Sequence, residues 1–242
     1  MATTKKASTG ATSKNGTDPT NGKEAAGKAA PKGGAAKGAS AKAGVSELAA
    51  SVGLTDADLL GMYQTILLAR QVDERMWILN RAGRIPFVIS GQGHEGAQVA
   101  IAWALERGKD WVAPFYRSIG TLLAFGMGAR DIMTAQFAKA VDVSSGGRQM
   151  PGHYGSQPKH LVSLSSPVAT QMLHAVGIAL AAKIRKTGEV AMSSMGEGSA
   201  NQGDVHEGLN FAGIHKLPFI LVIENNGYAI SVPVSKQLPI EN

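Results

Sequence analysis

Two short polar segments carry the residue types best suited to chemistry. The first is Gly196-Glu197-Gly198-Ser199 and the second is Asn225-Asn226-Gly227-Tyr228, and an apolar stretch that predicts a buried strand stands directly before each. The carboxyl ends of adjacent parallel strands meet at one edge of a sheet, where ligands bind, so we expect Glu197 and Asn226 to lie together. Carboxylate and amide oxygens suit Mg²⁺, which completes its octahedron with phosphate oxygens and water.

The glycines of the first segment favour a phosphate group beside the metal. Gly196 and Gly198 have no side chain, so the backbone can approach a ligand closely. A helix is predicted to begin shortly after them, and the N-terminus of a helix offers free N–H groups to a phosphate. The sequence therefore predicts a magnesium diphosphate site. The alternative, in which Glu197 and the Asn pair only terminate strands, does not account for two matching segments at adjacent strand ends.

Hydrophobic periodicity predicts the elements that position these segments. Thr55 caps a helix whose apolar residues recur at helical spacing up to Gly83. Further helices are predicted over 98–105, 119–125, 170–186 and 202–215, and buried strands over 189–195 and 217–223. A strand, a helix and a strand of these lengths indicate an α/β fold with a parallel sheet flanked by helices. Residues 141–160 hold six Gly or Pro residues and are predicted to form a long irregular loop, a frequent place for function.

A second glycine motif suggests a different class of function. Gly91-Gln92-Gly93-His94-Glu95-Gly96 fits the dinucleotide fingerprint, follows a strand-like run over 85–90, and has Asp110 about 20 residues further on. The fingerprint often matches by chance in a glycine-rich chain, and no clear second strand follows Trp111. A nicotinamide-binding Rossmann protein is therefore an alternative, although a glycine-rich turn before a helix explains the run better.

Charge and composition divide the 242 residues into two parts. Residues 1–45 hold eight Lys and two acidic residues, with no large apolar residue between Met1 and Val45, and are predicted to be a disordered tail. A nucleic-acid-binding arm is one alternative for this tail and a solvating leader is the other. Residues 46–242 are neutral and form the predicted folded domain. Cysteine is absent, which excludes disulfides and thiolate chemistry, and neither a membrane span nor a secretory signal is expected.

Four further runs give the chain a family resemblance from about residue 55 to residue 239. It resembles the α subunits of thiamine diphosphate-dependent branched-chain 2-oxoacid dehydrogenases, which implies the thiamine diphosphate-binding fold. The runs are Phe115-Tyr116-Arg117, Gly147-Arg148-Gln149-Met150-Pro151-Gly152-His153-Tyr154-Gly155, Ser165–Gln171 and Asn225–Ser231. The run from Gly147 to Gly155 distinguishes this family from the pyruvate and acetoin dehydrogenase α subunits, which remain alternatives within the class.

The resemblance implies a role for each matching residue. Three residues would hold Mg²⁺: Glu197, in place of the commoner Asp, Asn226, and Tyr228 through its carbonyl. Five would contact the thiamine diphosphate: Tyr116, Arg117, Ser166, Gly198 and Ser199. Four resemble a loop that binds a monovalent cation, for which K⁺ is the candidate: Ser165, Pro167, Thr170 and Gln171. Glu224 stands where some members have an Arg that touches phosphate.

The resemblance also implies a reaction and partners. The reaction is oxidative decarboxylation of a branched-chain 2-oxo acid, with acyl transfer to the lipoyl groups of an acyltransferase core. A β subunit would complete the site in an α2β2 heterotetramer. Family α subunits continue past Asn242 into a loop with a catalytic His. The chain is therefore expected to be truncated at its C-terminus, to contain no catalytic residue, and to act only with β.

Two secondary expectations complete the sequence-based account. Of the six histidines, His153 is the candidate that could approach the site from the glycine-rich loop. A bacterial cytoplasmic location is expected rather than the mitochondrial matrix, with no membrane partner and with nucleic-acid binding disfavoured.

Overall fold

The structure is a computed structural model that describes residues 47–239. After a helical turn at 47–51, this part of the chain forms six helices: α1 (Asp56–Arg81), α2 (Glu95–Trp103), α3 (Ile119–Ala124), α4 (Ala129–Gln136), α5 (Thr170–Arg185) and α6 (Gly203–Ile214). Its strands are β1 (Trp111–Ala113), β2 (Ala191–Gly196), β3 (Phe219–Glu224) and the short pair β4 (Tyr228–Ala229) and β5 (Val232–Pro233). The prediction for residues 1–45 concerns residues outside the described range.

The main sheet has the order β1-β2-β3, and both pairs of strands are parallel. In the β2–β3 register Gly196 lies opposite Glu224, so the segments that follow these two strands begin side by side. The predicted α/β class and the predicted meeting of the two strand ends are therefore confirmed. β4 and β5 form a separate antiparallel hairpin that directly follows the second segment.

Helices cover both faces of the sheet. Val112 and Met192 belong to a buried hydrophobic cluster built with α1, α2, α3 and α4. The adjacent residues Ala113 and Ala191 point to the opposite face, because successive side chains of a strand alternate. They pack there against the alanines of α5. Among the described residues, no helix combines the length and the apolar character that a bilayer span requires.

Two local predictions were wrong. Residues 85–90 form no strand, since Pro86 has no N–H for a β-ladder and the Ile85 carbonyl instead accepts a hydrogen bond of 3.0 Å from Asn80 Nδ2. Conversely, β1 was not expected after residue 110. It has only three residues, Trp111–Ala113, which is too short for a recognisable pattern of alternation.

The predicted irregular loop over 141–160 is confirmed, with a 3₁₀ turn at Gln157–Lys159 as its helical part. It is organised around the buried carboxylate of Asp142. This carboxylate accepts hydrogen bonds from the Ser145 hydroxyl and from three backbone N–H groups: those of Ser144, Ser145 and Gly147, at 2.9 to 3.2 Å. At the far end of the loop, the buried Tyr154 hydroxyl accepts a hydrogen bond of 2.7 Å from Gln136 Nε2.

Candidate magnesium and diphosphate site

Glu197 presents an unsatisfied carboxylate oxygen at the end of β2. It is the first residue of a 3₁₀ helix, Glu197–Asn201, and is only 3% exposed. Its Oε2 accepts a long hydrogen bond of 3.4 Å from the backbone N–H of Asn226. Its Oε1 is buried and has no hydrogen-bonding partner. A buried polar oxygen without a partner is costly, so the side chain is suited to receive a cation.

Asn225 and Asn226 shape the turn at the end of β3. The Oδ1 atom of Asn225 accepts a hydrogen bond of 2.8 Å from the N–H of Gly227, and that of Asn226 accepts one of 2.9 Å from the N–H of Tyr228. These bonds turn the chain back toward Glu197. The amide oxygen of Asn226 keeps a second lone pair that can bind a metal ion.

Close packing holds this turn against the segment after β2. A Cβ atom on Gly198 would lie 2.6 Å from Cβ of Ala229, which is closer than side-chain carbons approach. The glycine at this position therefore allows β4 to lie directly on the 3₁₀ helix. Glu197 is thus adjacent to the turn that carries the other two predicted metal ligands, Asn226 and Tyr228.

Arg117 lies at the same edge of the sheet, in the loop after β1. Its guanidinium is stacked near the rings of Phe115 and Tyr116, at 5.3 and 5.8 Å from the ring centres. Arg117 is 9% exposed and its Nη1 atom has no hydrogen-bonding partner. A Cβ on Gly196 would lie 3.9 Å from Nη2, so the absence of a side chain there leaves room beside the guanidinium. A buried guanidinium with a free donor is suited to bind phosphate.

The dinucleotide alternative is contradicted by the hydrogen bonds of its own motif. In a Rossmann site the glycine-rich turn offers free amides to the pyrophosphate. Here the Gly91 N–H donates to Asp73 at 2.7 Å and the Gly93 N–H donates to Glu95 at 2.8 Å. Burial of Asp73 raises the pKa of its carboxyl group. Asp110, the acidic residue of the motif, is not free to bind a ribose, since its two carboxylate oxygens accept hydrogen bonds from the N–H groups of Glu106 and Val190.

The same turn has a different structural role beside Arg117. A Cβ atom on Gly91 would collide with the backbone carbonyl oxygen of Arg117. The glycine at position 91 therefore allows the loop that carries the Arg117 guanidinium to pack directly against this turn. Behind the turn, Glu95 forms an ion pair of 2.6 Å with Arg70, which fixes the start of α2.

Ser166 and His153 form a hydrogen-bonded pair. Nδ1 of His153 lies 2.9 Å from the Met150 carbonyl, and its Nε2 lies 2.8 Å from Ser166 Oγ. Because a carbonyl only accepts, Nδ1 is the donor to Met150, and Nε2 lies at hydrogen-bonding distance from the Ser166 hydroxyl. The glycine-rich loop thus contacts the predicted cofactor-facing serine. A role for Ser166 toward the cofactor stays a prediction.

The loop predicted to bind a monovalent cation contains a second unsatisfied oxygen. Ser165 Oγ is buried and has no partner. Gln171 is 2% exposed and its Nε2 donates to the Ser194 carbonyl at 3.1 Å, which ties this loop to β2. The N–H of Thr170 reaches the Pro167 carbonyl at 3.5 Å and closes the turn. The use of this loop by a cation stays a prediction.

The donor set limits the kind of metal. Within residues 47–239, no group of three His, Asp or Glu side chains converges in the manner of a zinc site. A metal at Glu197 would be bound by one carboxylate together with neutral amide and carbonyl oxygens. Such hard oxygen ligands, with phosphate and water completing the shell, suit Mg²⁺.

Sequence reasoning missed the role of Glu224. The resemblance identifies this residue only as a replacement for a phosphate-binding Arg, whereas its side chain is 6% exposed and accepts hydrogen bonds from Gln98 and Ser118. One available signal was a charged residue at the end of a strongly apolar strand, since such residues are rarely buried without partners.

Comparison with known proteins assigns the chain to a family. Residues 63–242 match the model of the dehydrogenase E1 component, and the chain belongs to this family. Its fold is therefore the thiamine diphosphate-binding fold of that family.

Individual relatives carry more specific names. The chain is 59% identical over 192 residues to the 2-oxoisovalerate dehydrogenase subunit alpha of Bacillus subtilis, an alignment that covers 79% of this chain and 58% of that protein. It is 40% identical over 184 residues to the mitochondrial 2-oxoisovalerate dehydrogenase subunit alpha of Mus musculus, covering 76% and 41%. The corresponding subunit alpha 1 of Arabidopsis thaliana is 36% identical over 176 residues, covering 73% and 37%. The chain thus spans 37% to 58% of the lengths of these three relatives.

Proposed function

We propose that this chain forms the diphosphate-binding part of a thiamine diphosphate-dependent branched-chain 2-oxoacid dehydrogenase. The observation that carries the proposal is the unpartnered Oε1 of the buried Glu197 beside Asn226. At the same edge, Arg117 offers an unpartnered Nη1 atom. A cation and an anion bound together would satisfy both atoms, and the magnesium diphosphate group of this cofactor would supply that pair.

In this proposal the residues of the chain bind and orient the cofactor. Glu197, the Asn226 side chain and the Tyr228 carbonyl hold Mg²⁺, and the buried Arg117 donates to the diphosphate with its fixed fork. Three further residues line the diphosphate: Tyr116, Gly198 and Ser199. Four hold a monovalent cation, with K⁺ as the candidate: Ser165, Pro167, Thr170 and Gln171. When bound, thiamine diphosphate supplies the carbon nucleophile and the electron sink for decarboxylation.

The substrate and the partners are supported by the relatives. The three relatives compared above are 2-oxoisovalerate dehydrogenase alpha subunits, which favours a branched-chain 2-oxo acid over pyruvate or acetoin. Their designation as alpha subunits favours a β subunit in an α2β2 assembly that works with a lipoyl acyltransferase core. The higher identity to the bacterial relative than to the mitochondrial ones favours a bacterial cytoplasmic location.

A chimera with the Bacillus subtilis relative tests this function. The matching segment of that α subunit is replaced by residues 55–239 of this chain, and the product is combined with the B. subtilis β subunit. Decarboxylation of 3-methyl-2-oxobutanoate and of pyruvate is followed with an artificial electron acceptor. Circular dichroism and co-purification with β establish that the chimera has folded and assembled.

The proposal predicts that the assembled chimera turns over 3-methyl-2-oxobutanoate faster than pyruvate. It also predicts that Glu197→Ala abolishes turnover, whereas Glu207→Gln, an exposed change on α6, leaves it intact. The 242-residue chain alone should show no turnover, because the β subunit supplies the other half of the site in this proposal. An assembled but inactive chimera, or turnover by the lone chain, would contradict the proposal. In the second case His153 would be the first residue to examine as the acid–base group.

A further inference from the structure

Glu224, the last residue of β3, is a buried carboxylate held by hydrogen bonds alone. Its Oε1 accepts a hydrogen bond of 2.6 Å from the Ser118 hydroxyl, and its Oε2 accepts one of 2.8 Å from Gln98 Nε2. Among residues 47–239, no Lys, Arg or His side chain lies within 4.0 Å of this carboxylate. Glu224 is 6% exposed, so its carboxylate is largely shielded from solvent. Its two donors therefore fix its orientation.

The partners of Glu224 continue into a directional network. The Ser118 hydroxyl donates its hydrogen bond to Glu224, so in its contact of 3.0 Å with the Ser194 hydroxyl it must act as the acceptor. Gln98 uses its other amide proton on the Arg117 carbonyl at 3.2 Å. Its amide oxygen accepts the N–H of Gly120 at 2.9 Å. Both amide protons and the amide oxygen of Gln98 are thus used in hydrogen bonds.

We propose that Glu224 is a positioning residue that fixes the Arg117 loop relative to the Asn225-Asn226 turn. The turn follows Glu224 directly in the chain. On the other side, Ser118 is the residue after Arg117, and Gln98 donates a hydrogen bond to the Arg117 carbonyl. β1 and β3 are separated by β2 in the sheet, so the backbone ladder does not join them directly. The carboxylate joins the end of β3 to Ser118, in the loop that follows β1. The inference rests on the proposed function for the identity of the ligand that both segments hold.

The chemistry of a carboxylate explains why Glu fits this position. An ionised carboxylate only accepts, so it can receive protons from both Ser118 and Gln98. In Glu224→Gln the amide oxygen can still accept from Gln98, while its NH₂ group faces Ser118, whose hydroxyl can turn its proton toward Ser194. The glutamine therefore keeps hydrogen bonds to both Gln98 and Ser118, and the direction of the bond to Ser118 is reversed. Glu224→Ala loses both bonds: the Ser118 hydroxyl can turn to Ser194, but the Gln98 amide proton is left buried without a partner.

The experiment measures local mobility and ligand binding in the complete 242-residue chain. Amide hydrogen exchange is followed in peptides that contain 116–120 and 225–228, without ligand. Binding of inorganic pyrophosphate is measured by calorimetry in the presence of Mg²⁺. The variants are Glu224→Ala, Glu224→Gln and Ser118→Ala, and the matched control is the exposed Glu207→Gln.

The inference predicts that Glu224→Ala speeds exchange in both segments and weakens magnesium pyrophosphate binding by about tenfold or more. Glu224→Gln should restore most of the protection and most of the affinity, and Glu207→Gln should match the wild type. Ser118→Ala should speed exchange in both segments to a smaller extent. If Glu224→Ala fails to fold, the Ser118→Ala result decides.

Three results would overturn the inference. One is faster exchange confined to a single segment in Glu224→Ala, or in Ser118→Ala if the first variant is unfolded. Another is a uniform rise across the whole chain, which would indicate general destabilisation. The third is pyrophosphate binding that is unchanged in a variant whose exchange has risen. A wild-type chain that binds no magnesium pyrophosphate would contradict the proposed function instead, and the exchange data would then decide the positioning role.

Discussion

The Glu197 carboxylate and the backbone N–H of Asn226 face each other across the ends of two parallel strands, with 3.4 Å between Oε2 and N. The contact is long for a hydrogen bond, and the second carboxylate oxygen has no partner. These two residues therefore lie close enough to share a ligand, while the direct contact contributes little stabilisation. This relationship follows from the β2–β3 register, which places Gly196 opposite Glu224.

Replacement of Glu197 by Gln should not destabilise the metal-free chain. The buried carboxylate has an oxygen without a partner, and a neutral amide is less costly to bury than a charged group. We expect the free energy of unfolding in EDTA to stay equal or to rise by about 1 kcal/mol. Urea denaturation with Glu207→Gln as the exposed control measures this. A loss of more than about 1 kcal/mol would show that the carboxylate stabilises the fold without a cation.

Two glycines of the Gly91–Gly96 run should respond in opposite ways to alanine. Gly91→Ala would drive a Cβ into the Arg117 carbonyl and displace the loop that carries the guanidinium. Gly96 lies in α2 with no atom near its Cβ position, so Gly96→Ala should stabilise the helix by up to about 1 kcal/mol.

The two alanine variants are compared by their thermal unfolding and by their binding of magnesium pyrophosphate. Gly91→Ala should lower the melting temperature and weaken binding, whereas Gly96→Ala should do neither. Equal effects of the two substitutions would contradict the inference that packing against Gly91 positions the Arg117 loop.

The glycine-rich loop should lose its anchor at acidic pH. Burial alone would raise the pKa of Asp142, but hydrogen bonds from the N–H groups of Ser144, Gly147 and Ser145 and from the Ser145 hydroxyl outweigh burial and lower it. A carboxyl whose folded pKa is lowered contributes stability above its ordinary value of about 3.9, and that stability is lost as the pH falls through the folded pKa.

Asp142→Ala removes the anchor at every pH. We expect a loss of about 3 kcal/mol at pH 7 and a much smaller difference from the wild type near pH 2. Urea denaturation from pH 2 to pH 7 measures the two curves. Parallel curves, with a constant gap between variant and wild type, would contradict an ionised anchor.

The parts of the site that are local in sequence were predictable. Glu197 and Asn226 each follow a strand with a clear apolar pattern, so their meeting follows from the parallel sheet. The Glu224–Gln98 bond joins side chains 126 residues apart, and no spacing rule identifies such a pair. The Gly91 run shows the opposite error, because its letters match a known motif while its amides are already bound to carboxylates.

The most direct test of the account is calorimetric titration of this chain with thiamine diphosphate, with Mg²⁺ and with EDTA. The account predicts binding that requires Mg²⁺ and that is weakened at least about tenfold, or about 1.4 kcal/mol, by Glu197→Ala. Glu207→Gln should leave the affinity unchanged. Binding that is equal in EDTA, or that is unaffected by Glu197→Ala, would contradict the central claim that these strand ends hold a magnesium diphosphate group.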